Sequence, residues 1–354
     1  MQPIDLSILQ CPQTHQSLRY ATADEVSMAN TKMNEWSLMF EQGLVSETGN
    51  WFYPVYKEIY CLHSYYAIPL VEGIANSRQM EFDKKRIFNY FNQIQYHDFE
   101  GQSIYDDAKD FVDFRPFLLP YTKHGFYNCR QYLAQSGKYF VDVACGPVAF
   151  KEYIQLAEGF ECRICIDLSL NALLQAQRNL KAHGQRGIFI CGDLTALPMK
   201  DGLADAVICQ HALFHVQKKM QAQALKELVR IVGPGKRVAI VYDWFYHSWL
   251  MNLTLGPYQL YRIARHWAGR FYARVFKKDK LYFYAHGRSW FLRNNPGKKL
   301  DIYVWRSINI HFSRIWLHKR LGGEKIINYI WKLEKNHPGK MGRIGEYPII
   351  VIEK

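Results

Sequence analysis

The stretch Val141-Asp142-Val143-Ala144-Cys145-Gly146-Pro147 decides how this chain folds. It is the end of a short apolar run, residues 139–143, that stops on a tight turn containing glycine. Gly146 carries no Cβ, so the backbone can approach a ligand closely there. The first turn of the helix that follows offers unpaired N–H groups to an anion. Outward from this turn the pattern repeats. Residues 163–166 form a second apolar run closed by Asp167, and 187–191 a third closed by Gly192-Asp193. Residues 204–209 and 237–242 are a fourth and a fifth. Helical patterns lie between them. Residues 169–183 carry Leu170, Leu173 and Leu174 on one face, with Ser169 placed to cap. Residues 217–232 carry Met220, Ala224, Leu225 and Leu228. Two more strand candidates, 302–305 and 348–352, flank a long helical stretch at about 311–335. Strands alternating with helices of this length predict an α/β fold, doubly wound around a mostly parallel sheet of seven strands.

Ligands of such sheets bind beyond the carboxyl ends of the strands. Asp142 lies in the first strand, Asp167 ends the second 25 residues later, and Asp193 follows the third after another 26. An acid at Asp167 can accept two hydrogen bonds from the vicinal hydroxyls of a ribose. A carboxylate at Asp193 can accept from the exocyclic amine of an adenine. A lone Asp after a strand is usually a turn or capping residue. Three such features in order, at successive strand ends, are more specific. A nicotinamide dinucleotide would account for the first two. It wants G-x-G-x-x-G, which residues 144–149 lack, and it gives Asp193 no task.

Residues 138–242 resemble the class I, Rossmann-like methyltransferases that use S-adenosylmethionine. The opening stretch resembles their glycine-rich first motif, and Ile166-Asp167-Leu168-Ser169 the second. Cys191-Gly192-Asp193-Leu194-Thr195-Ala196-Leu197-Pro198 resembles the "GD-x-x-x-LP" segment of the branch that includes ubiquinone-biosynthesis methyltransferases. The strand from Asp201 to Val216 with its trailing His-rich loop fits as well. The resemblance implies that Asp142 and Gly146 hold the methionine end of the cofactor. Asp167 would hold the ribose, Asp193 and Leu194 the adenine, and Ala144, Cys145 and Leu168 belong to the same cofactor set. Gln210, at the start of the loop after the fourth strand, joins the cofactor set. Ala144 and Val148 depart from the family, where many members have glycine.

Methyl transfer from a sulfonium needs alignment and exclusion of water. A hydroxyl nucleophile also needs a base, for which histidine is the usual choice. His211 and His215, in the loop that abuts the reacting methyl in similar enzymes, are the candidate catalytic residues. The alternative is that His211 packs against the cofactor and His215 caps the next helix. An Asn/Asp-Pro-Pro-Tyr signature is missing and Gln210-His211-Ala212-Leu213 stands in its place. This argues against DNA-adenine or protein-glutamine targets and leaves O-, C- and other N-methylation open.

Three zones are expected. Residues 1–75 read as short strands, resembling a zinc-ribbon module that has lost its ligands. Cys11 and His15 stand where its first cysteine pair belongs, and the second pair is missing before Tyr53-Pro54-Val55. Cys61 and His63 could complete a four-ligand site, but the spacings are wrong, so a metal-free fold is expected. Residues 76–135 read as helices forming a lid, with turns near Glu100-Gly101 and Pro116 to Pro120. Tyr105, Asp106, Tyr121 and His124 are its candidate pocket residues. Residues 136–354 form the catalytic domain, with an aromatic, basic insertion at about 244–300 as a substrate cap.

The 354-residue chain is 49% hydrophobic and 22% charged, a globular balance. Its net charge of +13 is concentrated at the C-terminus, where residues 245–354 hold 21 Lys+Arg against 6 Asp+Glu. Such a third suits nucleic acid, an anionic membrane surface or an acidic substrate, and a solvated basic face explains it equally. The cluster Lys277-Lys278-Asp279-Lys280 is too short to decide. The eight cysteines are scattered, and Cys165 of the Cys162/Cys165 pair falls in a buried strand, which suggests core thiols in a reducing compartment. A basic n-region and an apolar h-region are both missing at the start, and no apolar run approaches the ~20 residues needed to span a bilayer. A cytoplasmic enzyme is expected, methylating a small or medium-sized acceptor such as a specialised metabolite or a lipid- or sugar-linked intermediate. The alternatives are an RNA methyltransferase and a Rossmann-like protein that binds the cofactor without turnover.

Overall fold

The apolar runs pair into one sheet. The computed structural model describes residues 4–32, 39–74, 80, 82–99, 102–276 and 281–354. Five short strands come first: β1 (Leu18–Tyr20), β2 (Gln42–Ser46), β3 (Trp51–Tyr56), β4 (Ile59–Tyr60) and β5 (Ile68–Pro69), with α1 (Ala23–Thr31) after β1. Helix α2 (Phe82–Gln93), the hairpin β6 (Tyr96–Phe99) and β7 (Gln102–Tyr105), and α3 (Leu119–Asn128) follow. The alternating part runs β8 (Gly137–Val143), α4 (Lys151–Gln155), β9 (Phe160–Asp167), α5 (Leu170–Ala182), β10 (Gly187–Cys191), β11 (Ala204–Gln210), α6 (Gln221–Ile231) and β12 (Val232–Val241). Helices α7 (Trp249–Leu255), α8 (Pro257–Val275) and α9 (Arg288–Arg293) precede β13 (Lys299–Arg306). Helices α10 (Ile310–Trp316), α11 (Gly323–Asn336) and α12 (Pro338–Ile344) precede β14 (Tyr347–Glu353).

Seven strands lie in the order β10-β9-β8-β11-β12-β14-β13. The first five are parallel, and β14 is antiparallel to both neighbours. This is the Rossmann-like, doubly wound sheet. Strand residues alternate between two buried faces. Val141, Val143, Val207 and Ile240 join one core, while Phe140, Ala206, Ile208 and Val241 join another. From β8 the chain winds one way through β9 and β10, then returns to β11 and winds the other way. The crevice beyond the carboxyl ends of β8 and β11 is therefore the switch point where a ligand belongs. The Ser169 side chain accepts from Ala172 N–H at 3.1 Å and caps α5.

Past β10 the sheet continues. Strand β4 pairs in parallel with β10 through Phe189↔Ile59 and Ile190↔Tyr60, and β3, β2 and β1 extend it antiparallel. The N-terminal strands thus prolong the sheet to twelve strands among the described residues.

Two local expectations need correction. The stretch read as one helix at 311–335 breaks into α10 and α11. Gly322 sits at φ +76° there, and a Cβ on Gly323 would lie 2.7 Å from the His318 nitrogen. The residues on either side of Glu100-Gly101 form strands, paired Phe99↔Gln102, where helix was expected. Glu100-Gly101 itself lies outside the described residues, as does Lys277-Lys278-Asp279-Lys280.

Candidate functional site

At the switch point lies a cavity of about 550 Å³. All nine residues expected to hold the cofactor line it, namely Asp142, Ala144, Cys145, Gly146, Asp167, Leu168, Asp193, Leu194 and Gln210, and so do His211 and His215. The turn after β8 has an unusual backbone. Ala144, Gly146 and Val148 have φ of +55°, +57° and +48°. Left-handed backbone is a strain for alanine and more so for β-branched valine, so the two departures from glycine fall where glycine would be relaxed. At Gly146 a Cβ would lie 2.9 Å from the Tyr105 hydroxyl oxygen. Tyr105 thus packs directly on the turn, and the positive φ at Gly146 is one that glycine adopts without strain.

The three aspartates behave differently. Asp167 Oδ2 accepts from Gly146 N–H at 2.9 Å and Oδ1 from Ser169 N–H at 2.8 Å. Burial raises its carboxyl, the two N–H groups oppose this, and its pKa settles at about 6. Asp142 is bound to the Arg163 guanidinium, both side chains being almost wholly buried. Arg163 also donates to the Tyr153 and Ile154 carbonyls. Burial raises the Asp142 carboxyl against the pull of Arg163. Its charge is thus spent inside the fold, joining β8 to β9. Asp193 is bound by the Lys84 ammonium from α2 and accepts from Thr195 N–H at 2.9 Å. Burial would raise its carboxyl, but Lys84 and His63 outweigh it and hold it below the usual range.

His63 comes from the N-terminal strands. Its Nδ1 accepts from Tyr65 N–H at 2.9 Å and its Nε2 lies 3.9 Å from Asp193 Oδ2. Gln10 N–H donates to the Pro198 carbonyl at 3.2 Å and Lys200 N–H to the Ile8 carbonyl at 3.0 Å, so the segment before β1 also braces the end of the Asp193–Pro198 segment. The four residues considered for zinc are occupied elsewhere. Cys11 Sγ meets the Tyr53 hydroxyl at 3.2 Å, and His15 meets Gln10 at 3.1 Å. Among the described residues, no group of three or more His, Cys, Asp or Glu is arranged to hold a metal ion.

Helix α2 covers the crevice, with Lys84, Ile87, Tyr90 and Phe91 on the cavity wall. Ser169 Oγ donates to the Phe91 carbonyl at 2.8 Å and ties the helix to the second motif. Tyr105 also lines the cavity. The other lid candidates do not. Asp106 pairs with His97 at 2.8 Å, Tyr121 donates to Glu334 at 2.7 Å, and His124 packs on Trp331.

The two histidines separate by environment. Burial, then Arg306, pushes His211 down to about 3, and its ring packs edge-on against Trp305 at 4.4 Å. His215 Nδ1 lies 2.7 Å from the Tyr282 carbonyl oxygen. A carbonyl can only accept, so Nδ1 carries the hydrogen and Nε2 the lone pair. Burial lowers His215 to about 4, so the ring is neutral at pH 7. It caps no helix. Sequence reasoning missed Lys84 and Asp243, and weighed His63 only as a zinc ligand. Asp243 follows β12, lines the cavity, and is pushed well above the usual carboxylate range by burial and by Glu346. Its position after a strand end was the available signal.

The chain is similar to several known proteins over part of its length. A tocopherol O-methyltransferase of Arabidopsis thaliana chloroplasts is 32% identical over 123 residues, 34% of this chain. The match spans only 32% of that relative's length. An S-adenosylmethionine-dependent methyltransferase from Clostridium acetobutylicum superposes with 16% identity and a TM-score of 0.32, over 42% of this chain and 56% of the other. A geranyl diphosphate methyltransferase in complex with S-adenosylmethionine gives 16% identity and a TM-score of 0.40, over 67% and 86%. Residues 141–240 match the methyltransferase domain family, so this part of the chain is a methyltransferase domain, for which S-adenosylmethionine is the cofactor.

Proposed function

We propose that this protein methylates a hydroxyl of an apolar acceptor of small or medium size, a specialised metabolite or a lipid-linked intermediate, with His215 as base. The observation that carries the reading is the continuity of one cavity, from the turn at Gly146 to a wall that includes Phe126, Phe214, Phe283 and Trp305. Such a wall favours an apolar acceptor over a charged one. The match to a tocopherol O-methyltransferase points to oxygen as the acceptor atom.

Bound S-adenosylmethionine supplies a methyl group activated on a sulfonium. The chain does the rest. Gly146 would give backbone access, Asp167 would accept from the ribose hydroxyls, and the Asp193 segment would border the adenine. Helix α2 and Tyr105 exclude water. His215, its tautomer fixed by the Tyr282 carbonyl, takes the acceptor's proton on Nε2. His211, held among Trp305, Tyr347 and Phe214, shapes the wall beside it.

The segment at Asp193 supports the ubiquinone-type branch, and the N-terminal strands are read as a metal-free derivative of a zinc ribbon. Eight free cysteines favour a reducing, cytoplasmic setting, and a biosynthetic role follows from the proposed acceptor. Methyl-tritiated cofactor, incubated with a panel of prenylated phenols, other apolar alcohols and short RNAs, tests the proposal. Label should enter the solvent-extractable alcohols and fall sharply with His215→Ala. Label confined to RNA would overturn it.

A further inference from the structure

Helix α8 turns a broad apolar stripe outward. Its 19 residues span about 28 Å at 1.5 Å per residue. Leu260, Ala264, Trp267, Phe271 and Val275 follow one another at i, i+4, i+7, i+11 and i+15, a single stripe along the helix. All five are exposed, Leu260 at 69% and Phe271 at 71%. The face turned to the protein mixes Ile263 and Ala273 with polar side chains. Gln259 is 1% exposed and donates to the Phe245 carbonyl at 3.4 Å. Arg262 reaches the buried Glu346 at 3.6 Å, and Arg270 donates to the Phe283 carbonyl at 2.7 Å. A surface helix in water normally does the reverse, so the outward stripe is made for an apolar medium. At the neighbouring helix α7, Trp249 and Leu253 are exposed at 58% and 64%. Trp316, exposed at 52%, donates to the Thr254 carbonyl at 3.1 Å and sits beside them.

Charge narrows the partner. Residues 245–276 contain four arginines and no Asp or Glu. Arg265 and Arg274 are exposed. Arg262 and Arg270 are spent inward, so the outer face is aliphatic and aromatic with cations at its margins. A nucleic acid would want those cations on the face itself. An anionic bilayer wants this arrangement: apolar and aromatic side chains entering the acyl boundary and arginines at the headgroups. Among the described residues, no helix is long and apolar enough to cross a membrane, so the helix would lie along it. The segment leaving α8 leads to Leu281 and Phe283 on the cavity wall, and Tyr284 N–H donates to the Phe214 carbonyl at 2.8 Å. The stripe and the acceptor side of the cavity are thus joined by a few residues of chain.

We propose that α8, with the exposed side chains of α7, is a monotopic docking surface for an anionic lipid bilayer. The proposal stands apart from the identity of the methyl acceptor, and its test needs no turnover. The full chain is co-sedimented with vesicles of phosphatidylcholine alone and of phosphatidylcholine with phosphatidylglycerol. Binding should be seen with the anionic vesicles and should weaken as salt rises. Leu260→Ser with Phe271→Ser should reduce partitioning roughly tenfold or more, and Arg265→Glu with Arg274→Glu should abolish the preference for anionic lipid. Cofactor affinity and thermal unfolding should not change in either variant, which separates lost docking from lost folding. Equal binding by the serine variant and the parent would overturn the proposal. So would failure to bind either vesicle, whether accompanied by salt-sensitive binding to RNA or by a dimer that the serine substitutions dissociate.

Discussion

The carboxylate of Asp167, which closes the second strand, accepts the N–H of Gly146, in the turn that follows the first, at 2.9 Å. One side chain therefore shapes the turn and lines the cavity proposed for the nucleoside. Asp167→Asn replaces an ionised acceptor by a neutral one. Hydrogen bonds to charged groups are worth about 1.5–3 kcal/mol, so the dissociation constant for S-adenosylmethionine should rise by about 10- to 100-fold. Isothermal titration calorimetry measures it. An unchanged constant would remove Asp167 from the cofactor site.

The same residue predicts a pH dependence. Burial raises its pKa in the folded protein to about 6, from an ordinary value of 3.8. In the free protein its contribution to stability is full below pH 3.8 and is lost as pH rises through about 6. Ribose hydroxyls donate to the ionised form. Cofactor affinity should therefore be weak below pH 6, rise through it and level off above, with proton release on binding near pH 6. Titrations in buffers of different ionisation enthalpy would show that release.

Asp142 and Arg163 predict the opposite kind of result. Arg163→Met leaves a buried carboxylate without its cation and should cost about 3–5 kcal/mol in urea unfolding. Asp142→Leu combined with Arg163→Met should recover most of that loss. If Asp142 serves the fold rather than the ligand, the double variant keeps cofactor affinity within a few-fold. A large loss of affinity in a stable double variant would assign Asp142 to the methionine end.

His215→Ala should lower kcat by about 10²- to 10⁴-fold at saturating cofactor, the usual range for a lost general base. His211→Phe, which preserves the aromatic packing against Trp305, should lower it far less. Since burial brings His215 to about 4, the acid limb of kcat/KM for the acceptor, measured with cofactor held saturating, should fall near pH 4, well below the ordinary histidine value of 6.5. A His211 variant as damaged as the His215 variant would reverse the assignment.

Much of this architecture is legible in the sequence because its signals are local. The run at 187–191 and the Ser169 cap are written into neighbouring residues, and strand ends followed by acids mark the crevice. What escapes notice depends on distant partners. A two-residue strand such as Ile59–Tyr60 has no periodicity, and only its neighbour β10 makes it part of the sheet. Arg163 reads as an interruption in an apolar run until Asp142 is seen beside it. Lys84 lies 109 residues from Asp193 in the chain, and no pattern connects them. The helix expected at 311–335 had the right composition, but contact between Gly323 and the backbone of His318 imposes a corner.

The junction of β4 with β10 also bears on how this protein can be cut. A shortened gene beginning at residue 136 would leave the Phe189 and Ile190 side of β10 without its neighbour. An uncovered, apolar strand edge recruits other chains, and such a fragment should go to inclusion bodies. The N-terminal strands are then a stopper, keeping a long sheet from growing by the addition of copies of itself.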